Sequence, residues 1–484
     1  MEKGDLFFLT TIISADSSSV LASPVLHLHN EPMSKRFDPI NGKVIPVFFH
    51  YALPSILGML AATSAGIIDG IFIGNFVGSA ALAAVNIALP VWAVLTSVVF
   101  MLAVGGSVMC GKFLGENKPD QASNIFTKTM IASVATGVLI SGVCLLFLSS
   151  VIRLLGANED LHELVYSYMY IILWFAPVLI AALTLDYFVR VDGRPILASF
   201  GLIAFAVTNI FLNWLFIVKW GWGIEGAAWA SGIAEAAIFL ILVTHLFSPK
   251  RSLHFIRVRG GWSDVIKAAY NGFSEFANEL SIGLIVLLFN WVMISRQGVA
   301  GVAAYTIIGY LVMVGMEISY GIAESLQPTV SKNLGARLPQ RISQFMTVGV
   351  ISAFVVGLLI SSAFVIAPEF LISLFLGDNE VEAVSIAIEF IALFWPAFLF
   401  NGMNITLASY FTALHKPLQS ATIAISRSLL LPVMGLLLLP IWFGDRGIYM
   451  TIPIAEALTF ILALVLVSRH RPAKITAALD APRS

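Results

Sequence analysis

The chain has 484 residues, 58% of them hydrophobic and only 11% charged, with a mean hydropathy of +0.92. Soluble domains carry about 25% charged residues, so the composition excludes a soluble protein and points to the membrane. A net charge of −1 excludes nucleic-acid binding through a basic surface, and two cysteines exclude a disulfide framework or a CxxC metal site.

Residues 1–44 are mixed and polar and read as an N-terminal tail. The start MEKGDLFFLTTIISA is too acidic and too weakly apolar for a signal peptide. MSKRFDPINGK, from Met33, leads into the first apolar run, so residues 1–32 read as an extension. Twelve apolar stretches follow, each long enough to cross a core of about 30 Å as a helix of about 20 residues. Six, at roughly 46–72, 81–111, 129–151, 164–185, 197–218 and 227–247, make an N-terminal bundle over 45–247. A charged linker, 248–267, leads to six more, at roughly 268–294, 302–330, 344–367, 384–410, 419–441 and 448–468, which make a C-terminal bundle over 268–468. Residues 469–484 form a second tail. Backbone groups in lipid must bond within their own helix, and ten-residue barrel strands do not appear, so the expected fold is an all-α membrane protein. With the N-terminus inside, 22 of the 27 Lys and Arg fall in inside segments and 4 in outside loops, while Arg427 lies within a helix. That bias places both termini in the cytoplasm of a multi-pass protein of the plasma (inner) membrane.

The sequence repeats itself. GSAALAA from Gly78 aligns with GVAGVAA from Gly298, and KFLGENKP from Lys112 with KNLGARLP from Lys332, both at a shift of 220. GAAWASGIAEA from Gly226 aligns with GIYMTIPIAEA from Gly447 at a shift of 221, so Glu235 and Glu456 are equivalent. Six spans return the chain to the same side, so the halves are parallel repeats. Two like bundles around a central cavity suit alternating access better than a channel.

Intramembrane carboxylates are rare and usually mark ion or substrate paths. Asp69, in TSAGIIDGIFIGN, has a side chain too short to snorkel and reads as functional rather than as an interfacial cap. Asn209 and Asn213, in TNIFLNWLFI, share a helix face. Alone they read as inter-helix glue; beside Asp69 they would give amide oxygens to a cation or hold the protonated acid. In the second half Glu275 and Glu279 share a face, with Glu279 the deeper. Glu317, Glu324 and Gln327 continue one stripe, and Glu389 stands in the tenth helix. For these glutamates cavity lining and structural pairing both stay open. The recurrence of Glu235 and Glu456 suggests a structural task common to both bundles. Prolines 54, 90, 177, 396, 432, 440 and 453 fall inside spans as bends or hinges. Trp220, Trp222 and Trp442 read as interfacial anchors. Tyr166, Tyr168, Tyr170, Trp174 and Phe175 read as packing or, less readily, as a cation–π wall. No Walker loop, zinc motif or nucleophile elbow is present, so the chain reads as no enzyme, with no cofactor, and as drawing on an ion gradient.

DGIFIGNFVGSAALAAVNIALP from Asp69, NIFLN from Asn209 and QPTVSKNLGA from Gln327 resemble the multidrug and toxic compound extrusion (MATE) transporters, over nearly everything from Met33 to about Lys474. The resemblance implies twelve helices in two six-helix lobes forming a V. It also implies export of small lipophilic organic cations in exchange for H⁺ or Na⁺, by a chain working as a monomer in the bilayer. The family's first-helix acid matches Asp69, the site for a proton or a transient Na⁺, and the proline fifteen residues before it matches Pro54, a hinge. The family's Asn and Asp four apart are here Asn209 and Asn213, so the second acid is missing. A seventh-helix acid corresponds to Glu279, and a tenth-helix Asp is replaced by the neutral Asn401 and Asn404. The candidate second-lobe site is therefore Glu275, Glu279, Glu317, Glu324, Gln327 and Asn404. The rival reading is a flippase or exporter of a lipid-linked or other endogenous metabolite, which calls for a basic cavity.

Overall fold

The computed structural model describes residues 36–373 and 381–480, so most of the expected N-terminal tail, including residues 1–32, lies outside the described residues. The first half runs through α1 (Val44–Phe72), α2 (Ser79–Gly115), α3 (Pro119–Leu146), α4 (Glu159–Val191), α5 (Pro195–Asn213) and α6 (Gly223–Val243). A short amphipathic helix, α7 (Ser263–Asn271), precedes α8 (Phe273–Gly335), whose 63 residues are two spans joined at Gly298 (φ 64°). Then come α9 (Pro339–Ile366), α10 (Val381–Phe394), α11 (Ala397–Ala413), α12 (Pro417–Ile425), α13 (Leu431–Phe443), α14 (Asp445–Arg469) and α15 (Pro472–Asp480). Helices α10 and α11 form one span bent by 58°, at Pro396, where a backbone donor is lost. α12 and α13 are likewise one span, joined by a π-helical turn, Ser426–Leu430. Among the described residues the protein is thus all-α, with twelve spans in two lobes forming a V.

The repeat is written into the turns. Gly78 (φ 121°) and Gly298 (φ 64°) break the chain between the first and second span of each half, in a backbone region open to glycine. Asn117 (φ 57°) and Arg337 (φ 58°), at equivalent positions, make left-handed turns two residues before Pro119 and Pro339. Those prolines, like Pro195 and Pro417, sit in the first turn of α3, α9, α5 and α12, where the missing N–H costs nothing.

Since water is absent from lipid, helices there gain little from apolar surface and pack through small residues instead. The largest inter-lobe contact, α2 against α8, does this with twofold pseudosymmetry. A Cβ on Gly115 would lie 2.0 Å from the Lys332 carbonyl oxygen, and one on Gly335 would lie 2.0 Å from the Lys112 carbonyl oxygen. Gly105 and Gly272 meet the backbone of Ala268 and Met101 in the same way. These contacts cluster toward the face that carries the termini. There too the first half of α1, while packed on α5 of its own lobe, reaches the other lobe, and Val47, Phe48, Tyr51 and Ala52 join the buried core formed by α8, α9 and α11. The lobes are therefore sealed at the termini face.

The segment between the lobes is pinned rather than loose. Asp192 accepts from the backbone of Ser252 (3.0 Å) and Leu253 (3.3 Å) and pairs with the buried His245 (2.7 Å). Lys128, fully buried, reaches the Gly261 carbonyl and the Asp264 carboxylate, each at 2.7 Å.

The seal should fail when a side chain is forced into the α2–α8 contact. Ser331 is fully buried beside Gly111. In a background without Cys110 and Cys144, Ser331→Cys should resist a bulky maleimide, and adding Gly335→Val should admit it. A shift of about 1.4 kcal/mol in the closed–open balance makes labelling roughly tenfold faster. Unchanged labelling would show that closure does not depend on this contact.

Candidate functional site

Two polar centres lie inside the bundle. The first is in the first lobe, toward the end remote from the termini. Asp69 sits in the last turn of α1, just before a π-helical turn at Ile73–Val77, and Asn213 ends α5, just before another at Trp214–Lys219. Such turns displace the helix register and recur at functional sites. The two side chains meet just before these turns, with Asn213 Nδ2 donating to Asp69 Oδ1 at 2.6 Å. Asn213 Nδ2 also donates to Asn209 Oδ1 (3.2 Å), and Asn209 Nδ2 donates to Ser231 Oγ on α6 (3.1 Å). An amide chain thus leads from α1 across α5 to α6. The buried Asn213 Oδ1 has no partner among the described residues. With this amide orientation the chain suits an ionised Asp69; rotating the amide would present Oδ1 to a protonated one.

The second centre is a cavity of about 230 Å³ between the lobes, walled by α1, α2, α4, both limbs of α8, α11 and α12. Glu275, Glu279, Glu317, Glu324 and Gln327 all line it, so five predicted residues converge here from the two limbs of α8. Glu317 is hydrogen-bonded to Thr63 of α1, which ties the wall to the opposite lobe. Met59, Phe100 and Ile405 supply apolar surface and Tyr187 and Tyr320 supply amphipathic rings. Toward the termini face the floor is held by Arg190. Its Nε lies 2.7 Å from Asp186 in its own helix and its Nη1 3.2 Å from Glu324 in the other lobe; it also bonds Ser55. Tyr187 donates to Glu324 Oε1 at 3.0 Å.

Among the described residues Arg427 is the one basic residue lining this cavity, and it is already engaged. Its Nη1 lies 3.4 Å from Glu456, its Nη2 donates to Asn278 Oδ1 at 2.8 Å, and it is hydrogen-bonded to Tyr320. Asn401 and Asn404 donate to the same Glu456 carboxylate, each at 2.7 Å. Asn404 is therefore placed behind the cavity wall, as a partner of Glu456, and not on the wall. Sequence reasoning missed this network and the Asp186–Arg190–Glu324 bridge. The signal available was a buried arginine one turn from an aspartate in DYFVR, which went unread.

Other residues are placed elsewhere. Glu389 is exposed and pairs with Arg446 at 2.8 Å, away from the cavity. Tyr166, Tyr170 and Trp174 form an exposed stripe along α4, with the two tyrosine rings stacked at 6.1 Å, and none lines the cavity. Phe175 packs on Gly232 and against the edge of Trp229. Tyr168 alone turns inward, within electrostatic reach of Asp69 and Glu235.

Comparison with known proteins decides the family. The MatE family model matches the chain twice, over residues 54–215 and 276–437, once in each lobe. The chain belongs to the MATE family. Among curated relatives, the Staphylococcus aureus "Multidrug export protein MepA" is 24% identical over 428 residues, covering 87% of this chain and 94% of that protein. The protein of the same name from Staphylococcus haemolyticus is 23% identical over 430 residues, covering 88% and 93%. A solved structure described as "MATE in complex with MaL6" superposes with a TM-score of 0.86 at 20% identity, covering 93% of this chain and all of that one. Another, from Pyrococcus furiosus, has a TM-score of 0.84 at 21% identity, covering 92% and 99%. It is described by the phrase "Reverse polarity of binding pocket suggests different function of a MOP superfamily transporter".

In this MATE protein the buried Arg427–Glu456 pair gives a direct test of the second-lobe network. Removing one partner of a buried pair costs about 3–5 kcal/mol because the other charge is left uncompensated. Arg427→Met should lower the unfolding temperature in detergent sharply, and Arg427→Met with Glu456→Gln should recover most of the loss. Equal destabilisation in the single and double variants would refute the pairing.

Proposed function

We propose that the chain is a secondary active antiporter that exports lipophilic organic cations, drugs and toxic compounds among them, in exchange for H⁺ or Na⁺. Its termini lie in the cytoplasm and it works as a monomer. The observation that carries this is the charge of the inter-lobe cavity: four glutamates face it, while its single basic lining residue is held by Glu456 and Asn278. An apolar and aromatic wall set with carboxylates is complementary to a cation with an organic body. The names of the MepA relatives, multidrug export proteins, agree with that chemistry.

Asp69 takes the coupling role in this reading. Burial disfavours the ionised form of a carboxyl group, and a nearby cation favours it. With the lobes open away from the termini, Asp69 takes up H⁺ or Na⁺ from outside, and bending of α1 near Pro54 disturbs the wall at Met59 and Thr63. The cation then leaves. After the lobes exchange their open face, the ion departs inward and the carboxylates attract the next cation. One ion of unit charge gains about 2.3 kcal/mol per 100 mV, enough for roughly fifty-fold accumulation where 1.4 kcal/mol is tenfold.

The second reading is a flippase or exporter of an endogenous, anionic or lipid-linked metabolite. The Pyrococcus furiosus neighbour ties a reversed pocket polarity to a different function, so polarity is the discriminator. Three lining acids without an ion pair among the described residues, Glu275, Glu279 and Glu317, against one occupied base favour the cationic substrate.

In proteoliposomes with imposed H⁺ or Na⁺ gradients, tested separately, wild-type protein should drive ethidium uphill. Asp69→Asn should abolish this, and full efflux by Asp69→Asn would sink the coupling role. Glu279→Gln and Glu317→Gln should weaken ethidium binding to the purified protein, each by about tenfold if one partly buried charge contact worth about 1.4 kcal/mol is lost. Undiminished binding in both would exclude the cavity as the cation site.

A further inference from the structure

Glu235 and Glu456 are equivalent in the repeat and both are buried, 1% and 2% exposed. Their surroundings are opposite. Glu456 is held by Arg427, Asn401 and Asn404. Glu235 has an Oε2 with no hydrogen-bond partner among the described residues, and no ion pair. The reason lies in α5, the helix equivalent to the one that leads into Arg427: along Pro195–Asn213 it carries no charged side chain. A buried carboxylate without a cation costs several kcal/mol in its ionised form. A shared structural task therefore fails as an explanation, since only one of the two glutamates has the partners for it.

The place of Glu235 is the second observation. Ser231 and Glu235 are one turn apart on the same face of α6. Ser231 is the far end of the chain Asp69–Asn213–Asn209–Ser231. From α4, Tyr168 stands within electrostatic reach of both Asp69 and Glu235. The charged groups at the outer end of this region, Lys219 over the Trp214 ring and the exposed Glu225, lie beyond the amide chain. Asp69 and Tyr168 are thus the titratable groups that share the interior with Glu235.

We propose that Glu235 is the second carboxylate of the first-lobe ion site, supplying from α6 the acid that Asn213 does not supply from α5. Asp69 and Glu235 stand at the two ends of one polar path, and the coupling ion, H⁺ or Na⁺, occupies both stations in the course of a cycle. Glu235, one turn deeper along α6 than Ser231, receives the ion from the Asp69 end. This rests on the antiport reading above.

Purified protein without substrate gives the first test. Infrared difference spectra between acid and alkaline buffer, and with and without Na⁺, should contain a carboxyl band that disappears in Glu235→Gln and shifts in Glu235→Asp. A second band should disappear in Asp69→Asn. Spectra of Glu235→Gln identical to wild type would overturn the assignment whatever the transport result. Transport gives the second test, with ethidium as the probe cation. Glu235→Gln should retain ethidium–ethidium exchange, which needs no ion, yet lose gradient-driven efflux at least tenfold, with partial rescue by Glu235→Asp. Loss of both modes together would mark Glu235 as merely structural and overturn the proposal. Driven efflux retained in Glu235→Gln but lost in Asp69→Asn would overturn it too, leaving the antiport reading intact. Driven efflux retained in Asp69→Asn would remove the coupling role of Asp69; no gradient-driven efflux by the wild-type protein would remove the antiport reading, and the infrared bands would still decide whether Glu235 binds the ion.

Discussion

A carboxylate inside a bilayer must be paired, protonated or supplied with a cation, and the interior of this protein is arranged around that constraint. Several of its acids show how the constraint is met. Glu456 is paired with Arg427, and Glu324 with Arg190 and Tyr187. Glu389 avoids the problem by facing outward beside Arg446. Asp69 has an amide for company, and Glu235 Oε2 has no hydrogen-bond partner among the described residues. The paired acids lie where helices must hold position. Asp69 and Glu235, without an ion pair among the described residues, both lie in the first lobe.

The same constraint explains the unequal ends of the cavity. Arg190 spends its charge on a partner in each lobe, Asp186 and Glu324, on the side of the cavity nearer the termini. Beneath it the two lobes approach backbone to backbone through Gly115 and Gly335. Neither contact tolerates a small displacement: a desolvated ion pair loses its compensation, and glycine-mediated packing loses its close approach. Contacts of this kind favour discrete arrangements over graded ones, the property an alternating-access cycle needs. The bridge through Glu324 also joins closure to the cavity, because Glu324 both lines the cavity and ties the lobes.

Much of the architecture was legible in one dimension. Apolar length, the Lys and Arg bias and the KFLGENKP and KNLGARLP pair lead to the spans and the duplication, since each depends on local residues alone. Asp69, Asn209 and Asn213 were legible for the same reason, being polar where polarity is costly. What could not be read were partners supplied by other helices. Asn401 and Asn404 looked like a weakened cavity site until they were seen donating to Glu456. The π-helical turns after Asp69 and Asn213 have no distinct residue pattern, and the two side chains meet just before them. Tyr166 and Tyr170 read as packing or as a cavity wall and prove to be an exposed stripe, because the face a helix presents depends on its neighbours.

The segment IAEA shows how far sequence equivalence carries. Identical residues at 233–236 and 454–457 argue for identical roles only if their neighbours were duplicated as well. They were not. The span leading out of α12 acquired or kept an arginine, whereas α5 is uncharged up to Asn213, and α5 carries the amide pair that reaches Asp69. One glutamate is thereby fixed as half of an ion pair and its twin is left without a charge to answer it. A duplicated fold thus gives one motif two different settings, because the energetic state of a buried acid is decided by the helix opposite and not by its own.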